Sequence, residues 1–75
     1  MSKQPEEFQR IVGRNIRMLR EQQGLTVAQL AEDCRIRPLK LSRIEAGEVN
    51  TQLAPLIRIA RRLGVWPKAL LNGVK

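Results

Sequence analysis

The sequence predicts an all-α fold in a single domain, and three observations support this. Apolar residues recur every three or four positions in successive segments, which is the period of an amphipathic helix. Glycine or proline separates these segments. The chain has 75 residues, 43% of them hydrophobic, which is enough for one small core and too short for two domains. We therefore expect one domain over residues 1–75 with five helical segments. Residues 1–5 of this domain are expected to be a loosely ordered N-terminal segment.

The first helix is predicted to begin at Glu6 and to end before Gly24. Its apolar residues form one continuous stripe, consisting of Phe8, Ile11, Val12, Ile16 and Leu19. The opposite face carries Arg10, Arg14 and Arg17, spaced four and three residues apart. A stripe of this length predicts a helix packed along a core on one side only.

Residues 25–47, LTVAQLAEDCRIRPLKLSRIEAG, contain two short amphipathic segments joined by a tight turn. Thr26 is placed to cap the first segment with its hydroxyl, and the small Ala31 lets the next helix cross closely. The second segment runs from about Pro38 to Ala46, because proline suits a first helical turn and Gly47 provides a stop. This pattern predicts a helix-turn-helix.

Two further helices are predicted after a polar loop at residues 48–52. Pro55 fits the first turn of the fourth helix, with Thr51 or Gln52 near its cap and Gly64 at its end. Trp66-Pro67 opens a short fifth helix, which Asn72-Gly73 terminates.

The outward face of the third helix is basic. On a helical wheel, Leu41, Ile44 and Glu45 point inward, whereas Leu39, Arg43 and Ala46 point away, flanked by Lys40 and Ser42. The segment from residue 35 to 43 holds four cations and no acid. A charge run of this kind is often only a solvated face. That alternative does not explain the turn, the small Ala31 and the outward Leu39 together, whereas the major groove of a DNA duplex admits such a helix.

The amino-acid composition of the chain limits the kinds of function that it can have. Fourteen Lys and Arg against seven Asp and Glu give a net charge of +7, which favours nucleic acid or an acidic surface as partner. The chain has no histidine and one cysteine, Cys34, so it is poorly equipped for a metal site or a Ser-His hydrolase. We expect neither an enzyme nor any metal, cofactor or small-molecule substrate. No signal peptide or membrane-length apolar run is present, which predicts a cytoplasmic protein without a membrane partner.

Several short motifs carry a resemblance to a known family. They are Ile16-Arg17, Leu19-Arg20, Gly24-Leu25-Thr26, Gln29-Leu30-Ala31, Leu41-Ser42-Arg43-Ile44-Glu45, and Ile59-Ala60 with Leu63-Gly64-Val65. From about residue 13 to 73 the chain resembles the Xre/Cro-like helix-turn-helix family, which includes the DNA-binding domains of lambdoid phage repressors. The resemblance implies a compact five-helix bundle of the lambda-repressor type that binds operator DNA, usually as a dimer. It also implies a structural ion pair between Arg20 and Glu45.

Two positions depart from the family pattern. Arg35 occupies the place of the usual turn glycine, and a non-glycine residue at positive φ costs about 1 kcal/mol. Pro38 and Leu39 replace polar residues that often bond to base edges in related repressors. The base preference should therefore differ, with Leu39 placed to touch a thymine methyl group.

The predicted DNA contacts fall into two groups. Base edges are read by Leu39, Lys40, Ser42 and Arg43, with Arg43 the strongest candidate because a guanidinium can grip guanine through two hydrogen bonds. Phosphates are met by backbone amides, polar side chains and cations at Arg14, Thr26, Val27, Arg35, Arg37, Asn50, Thr51 and Gln52. For Arg14 a solvated flank is the alternative.

The end of the chain predicts an interface. A short last helix cannot hide all of its apolar residues, which suggests a two-fold dimer through Trp66, Leu70, Leu71 and Val74. The alternative is that Trp66 folds back into the core of its own chain.

Together these features predict a sequence-specific double-stranded DNA-binding transcriptional regulator, a repressor acting as a homodimer on a palindromic operator. Two alternatives stay open. One is an antitoxin, whose partner is a toxin and whose DNA binding is autoregulatory, and the other is the controller protein of a restriction-modification system. Binding of RNA or single strands is disfavoured because the chain offers only Phe8 and Trp66 for base stacking.

Overall fold

The computed structural model describes residues 5–74, and this part of the chain is helical without strands. Its four α-helices are α1 (Pro5–Gln22), α2 (Val27–Cys34), α3 (Pro38–Glu45) and α4 (Leu53–Leu63), followed by a 3₁₀ helix at Pro67–Leu71. The all-α prediction is confirmed. The fifth segment, however, is a five-residue 3₁₀ helix and not an α-helix. Of the predicted loose segment at residues 1–5, residues 1–4 lie outside the described residues, and Pro5 is already helical.

Two glycines end helices as the sequence predicts. Gly24 follows α1 with φ +71°, and Gly64 follows α4 with φ +76°. Glycine adopts this left-handed conformation without the steric cost that a side chain would add. After Gly64, the amide of Val65 donates to the carbonyl of Ala60 at 3.0 Å and turns the chain towards the 3₁₀ helix.

The core lies where α1 crosses α3 and where α2 and α4 pack together. Its buried apolar residues come from every element: Val12, Ile16, Leu30, Ala31, Cys34, Ile36, Leu41, Ile44, Leu56, Ile59, Ala60, Leu63 and Leu70. Gly13 sits at the α1–α3 crossing, where an added Cβ would overlap the Ile44 carbonyl oxygen and lie 2.7 Å from that of Glu45. Only a residue without a side chain allows this approach, which brings α3 close to α1.

The C-terminal segment is fastened to α1 by one buried side chain. The Nδ2 of Asn15 donates to the carbonyl of Leu70 at 2.8 Å and to that of Asn72 at 2.9 Å. Nearby, the Nε2 of Gln23 donates to the carbonyl of Leu63 at 2.6 Å, which joins the end of α1 to the end of α4. The position of the last residues is therefore fixed against the first helix.

Candidate nucleic-acid interface

In the turn between α2 and α3, the residue with a left-handed backbone conformation is an arginine, at the place where glycine is usual. Arg35 has φ 59° and ψ 43°. The amide of Ile36 then donates to the carbonyl of Ala31 at 2.9 Å, and the Ile36 side chain is buried. This is the bonding of a glycine-type helix stop, here with a cost of about 1 kcal/mol for the non-glycine residue.

Helix α4 supports the end of α2 through two arginines that the sequence analysis did not single out. The Nε of Arg58 donates to the carbonyl of Cys34 at 2.8 Å, and the Nε of Arg62 donates to a carboxylate oxygen of Asp33 at 2.5 Å. Arg58 thus satisfies a carbonyl that the helix end leaves without an intrahelical partner. The Cys34 thiol is buried, and burial raises its pKa.

A buried ion pair joins α1 to the end of α3. The Nε and Nη2 of Arg20 donate to the two carboxylate oxygens of Glu45, at 2.6 Å and 2.9 Å. The third bond of Arg20, from Nη1, goes to the carbonyl of Leu25 at 2.8 Å. The hydrogen bond that Arg20 donates to Glu45 raises the pKa of Arg20, against the opposing effect of burial, and keeps the guanidinium charged. The two predicted partners therefore meet with fork-to-fork geometry, which fixes direction as well as distance.

The outward face of α3 presents the four residues predicted to read bases. Leu39, Lys40, Ser42 and Arg43 are all exposed, while Leu41 and Ile44 on the inner face are buried. Leu39 is 63% exposed, which is unusual for a leucine and leaves it open to a partner. Within the described chain, neither Lys40 nor Arg43 makes an ion pair or a side-chain hydrogen bond. Their charges remain available to a ligand.

The first turns of α2, α3 and α4 differ in how they are capped. Helix α2 has a complete capping box, in which the Thr26 hydroxyl accepts from the amide of Gln29 at 3.0 Å. In return, the amide of Thr26 donates to Oε1 of Gln29 at 2.8 Å. The Thr26 amide is therefore engaged within the protein, and the predicted phosphate contact at Thr26 stays a prediction. The Val27 amide, at the first helical position, has no acceptor within the helix.

Helices α3 and α4 begin without a side-chain cap. Arg37 and Gln52 hold the cap positions in extended backbone, and neither side chain bonds to its helix. The first backbone N–H of α3 is that of Leu39, because Pro38 has none, and the first of α4 is that of Leu53. Neither amide has an acceptor within its helix. In the loop before α4, Asn50 is exposed and Thr51 is half-buried. Uncapped helix starts beside free cations suit an anionic partner.

Arg14 reaches the C-terminal segment. It borders a hollow with Glu7, Arg10 and Ile11 on α1, and its Nη2 would lie 3.7 Å from a Cβ placed on Gly73. The phosphate contact at Arg14 stays a prediction.

The predicted dimer surface divides into exposed and buried residues. Trp66 is 78% exposed and Val74 is also exposed, whereas Leu71 is half-buried. Leu70 is fully buried, so its assignment to an interface is wrong. The 3₁₀ helix turns it inward, into the core of its own chain. The alternative prediction, that Trp66 folds back into the core of its own chain, is wrong as well, because the indole is exposed.

The described chain holds no cluster of metal-ligating side chains. Across residues 5–74, every helix is too short or too polar to cross a bilayer.

The fold and this face define a class, that of helix-turn-helix proteins that bind DNA. The model of the helix-turn-helix domain family matches residues 11–72, and the chain belongs to that family. Membership implies a DNA-binding protein without enzymatic activity. The Xre-type resemblance seen in the sequence is confirmed. No curated protein matches the chain significantly.

Solved structures of regulators share the fold. The restriction-modification controller protein C.AhdI from Aeromonas hydrophila has a TM-score of 0.80 and 26% identity, over 83% of this chain and 94% of that one. The clp gene regulator ClgR from Corynebacterium glutamicum has a TM-score of 0.83 and 28% identity, over 85% of this chain and 68% of that one. The hypothetical transcription factor NHTF from Neisseria, at 24% identity, agrees in fold with a TM-score of 0.83, over 95% of this chain and 82% of that one. The chain is a helix-turn-helix transcription regulator.

Proposed function

We propose that the protein is a sequence-specific repressor that binds a palindromic operator in double-stranded DNA as a homodimer. The observation that carries the proposal is the outward face of α3. Its cations make no ion pairs within residues 5–74, and the buried Arg20–Glu45 pair fixes the helix that bears them. A rigid helix with free cations fits the major groove of a duplex.

In this proposal α3 enters the major groove and presents Leu39, Lys40, Ser42 and Arg43 to base edges. Arg43 grips a guanine, and Leu39 contacts a thymine methyl group. Phosphates are bound by the Val27 amide, by Arg35 and Arg37, and by the loop residues Asn50, Thr51 and Gln52. Two predicted phosphate contacts have less support. The backbone amide of Thr26 already donates to Gln29. Arg14 stays a prediction that its position beside Gly73 does not support.

The homodimer is proposed to form through Trp66, with Leu71 and Val74 beside it. An exposed tryptophan on so small a protein favours a protein contact, because aromatic residues are enriched in interfaces. A two-fold dimer presents two α3 helices to half-sites about 34 Å apart, one turn of DNA. In this proposal the protein acts by occupying its site and blocking transcription.

A second candidate function is that of a restriction-modification controller. The likeness to C.AhdI favours it, since the alignment spans 94% of that protein and leaves little of it unmatched. A controller would activate as well as repress. The two candidates share the DNA site and the dimer, and differ in the sign of regulation.

Selection of binding sites from a randomised duplex pool, at about 0.15 M salt, tests the proposal. Non-specific phosphate attraction is weakened at this ionic strength, so base reading decides which sequences are enriched. We expect a palindrome whose half-site centres lie about 34 Å apart. Failure of any sequence to be enriched would contradict sequence-specific binding, and an enriched single half-site would contradict the dimer.

A further inference from the structure

The peptide group between Cys34 and Arg35 is held at both of its ends. Its N–H, that of Arg35, donates back into α2, to the carbonyl of Glu32 at 3.2 Å. Its carbonyl, that of Cys34, accepts from the Nε of Arg58 on α4 at the shorter distance of 2.8 Å. Because a peptide group is planar, a bond that holds its carbonyl also limits rotation about φ of the next residue. That residue, Arg35, is the one non-glycine residue with positive φ among residues 5–74.

Arg58 and Cys34 contact each other in both directions. The buried Cys34 thiol donates to the carbonyl of Arg58 at 3.7 Å. A thiol is a weak donor, so the guanidinium bond contributes most of the contact. Within residues 5–74, no backbone amide bonds to the Cys34 carbonyl. The contact therefore joins α4 to the backbone of α2 at the residue directly before the turn.

The strength of the Arg58 bond is sufficient to hold a strained turn. A non-glycine residue disfavours the left-handed conformation by about fivefold in population. A hydrogen bond from a charged donor favours the bonded form by about tenfold or more. Burial of the Ile36 side chain favours the same conformation. Loss of the Arg58 bond should therefore weaken the left-handed turn without abolishing it.

We propose that Arg58 is a positioning residue for DNA binding, which holds Arg35 left-handed in place of the glycine that such a turn usually has. The inference rests on the proposed function, which places α3 and its preceding turn against DNA. Only two residues separate Arg35 from Pro38, at the start of α3. A change of φ at Arg35 therefore redirects the start of α3 and weakens its contacts with bases and phosphates alike.

The variants Arg58→Gln and Arg58→Met separate the hydrogen bond from the charge. Both remove the positive charge, and both residues are good helix formers with unbranched side chains. The Nε2 of glutamine lies at the same position along its side chain as the Nε of arginine and can donate to the same carbonyl, whereas methionine has no N–H. We expect Arg58→Met to bind the selected duplex about threefold more weakly than Arg58→Gln does, in fluorescence anisotropy at about 0.15 M salt.

The same two variants in an Arg35→Gly background give a result that a general loss of stability would not produce. Glycine adopts the left-handed conformation without steric cost, so the turn no longer depends on Arg58. Arg58→Met and Arg58→Gln should then bind the duplex equally, within about a factor of 1.5. A difference that persists in this background would show that the side chain at position 58 acts by another route, and would overturn the inference.

The matched control is the same pair of changes at Arg62, one turn further along α4. The Nε of Arg62 bonds to the side chain of Asp33 and not to the backbone before the turn. Arg62→Met and Arg62→Gln should therefore bind the duplex equally, within about a factor of 1.5, since an exposed pair contributes little. A difference at Arg62 as large as the one at Arg58 would overturn the inference.

The Cβ chemical shift of Arg35, measured by NMR in the free protein, tests the turn without DNA. We expect the unmodified chain and Arg58→Gln to agree, with the shift in Arg58→Met displaced from both. Identical shifts in all three proteins would overturn the inference. A chain that selects no duplex contradicts the proposed function, and the Cβ shift then still decides whether Arg58 holds the turn.

Discussion

The α3 surface and the Trp66 surface are held in place by different means. Helix α3 is fixed at its end by the buried Arg20–Glu45 pair and along its length by the close crossing at Gly13. The 3₁₀ helix below Trp66 depends on two hydrogen bonds from Asn15 and on the buried Leu70. The first surface is polar with free cations, and the second is aromatic with cations at its border. The difference agrees with the roles proposed for the two surfaces, since base reading requires a rigid frame whereas an apolar contact requires mainly exposed area.

The largest expected effect comes from breaking the ion pair. Arg20→Ala leaves the Glu45 carboxylate buried without its partner, which costs about 3–5 kcal/mol in the free energy of unfolding. Urea denaturation followed by circular dichroism measures the loss. The control is Arg17→Ala on the same helix, which breaks an exposed pair with Glu21 and should cost less than about 1 kcal/mol. Equal losses in the two variants would show that the buried pair does not hold α3.

The helix crossing is tested by Gly13→Ala. The new Cβ would overlap the carbonyl oxygen of Ile44, so α1 and α3 must separate, at a cost of about 1–3 kcal/mol. Thermal unfolding measures it, and DNA affinity should fall as well because α3 is displaced. Gly24→Ala is the matched control, since it has open space around the site and incurs only the positive-φ cost of about 1 kcal/mol. DNA affinity unaffected by Gly13→Ala would contradict this coupling.

Base reading by α3 is tested by Arg43→Ala. We expect discrimination between the selected duplex and one with the contacted guanine replaced to fall by about 1–3 kcal/mol, through loss of the bidentate contact. Fluorescence anisotropy with both duplexes at about 0.15 M salt gives the ratio of affinities. Arg61→Ala removes an equal charge near Trp66 and should leave that ratio unchanged. A drop in ratio for Arg61→Ala alone would reverse the assignment of the two surfaces.

The smallest expected effects come from Arg35→Gly, which should stabilise the protein and weaken its binding to DNA. Arg35→Gly relieves the left-handed conformation and should stabilise the protein by about 1 kcal/mol. If Arg35 meets a phosphate, the same change weakens binding to all sequences alike and reduces the salt slope by about one. Denaturation and a salt series of DNA affinities measure the two effects. Lower stability would contradict the strained turn, and an unchanged slope would remove Arg35 from the phosphate contacts.

Local signals predicted most of the fold. The apolar stripe of α1 follows directly from helical spacing. The proline at the start of α3 and the stops at Gly24 and Gly64 each act within one turn of helix, where sequence spacing determines the outcome. The inward position of Glu45 also followed from helical geometry alone. The family resemblance then supplied its partner, Arg20.

What the sequence could not predict depends on contacts between distant residues. The partners of Asn15 are 55 and 57 residues away, and its only local signal is a polar residue within the apolar stripe of α1. Leu70 and Leu71 look alike in sequence, but the 3₁₀ geometry buries the first and leaves the second half-buried. Similarly, nothing local shows that Arg58 bonds to Cys34, 24 residues away. The bond from the Thr26 amide to Gln29 is different, because it spans three residues and the Thr-x-x-Gln spacing of a capping box could have predicted it.

The most direct test of the central claim, that α3 and its neighbours form the DNA contact, is an NMR titration with the selected duplex. The protein would carry Trp66→Ser, an exposed change that keeps the core intact and disrupts the proposed dimer surface. We expect backbone amide shifts at residues 27–28, 37, 39–43 and 50–53, with residues 65–66 and 68–74 unaffected. Shifts centred on residues 58–68, or none in α3, would contradict the assignment of α3 as the helix that reads DNA.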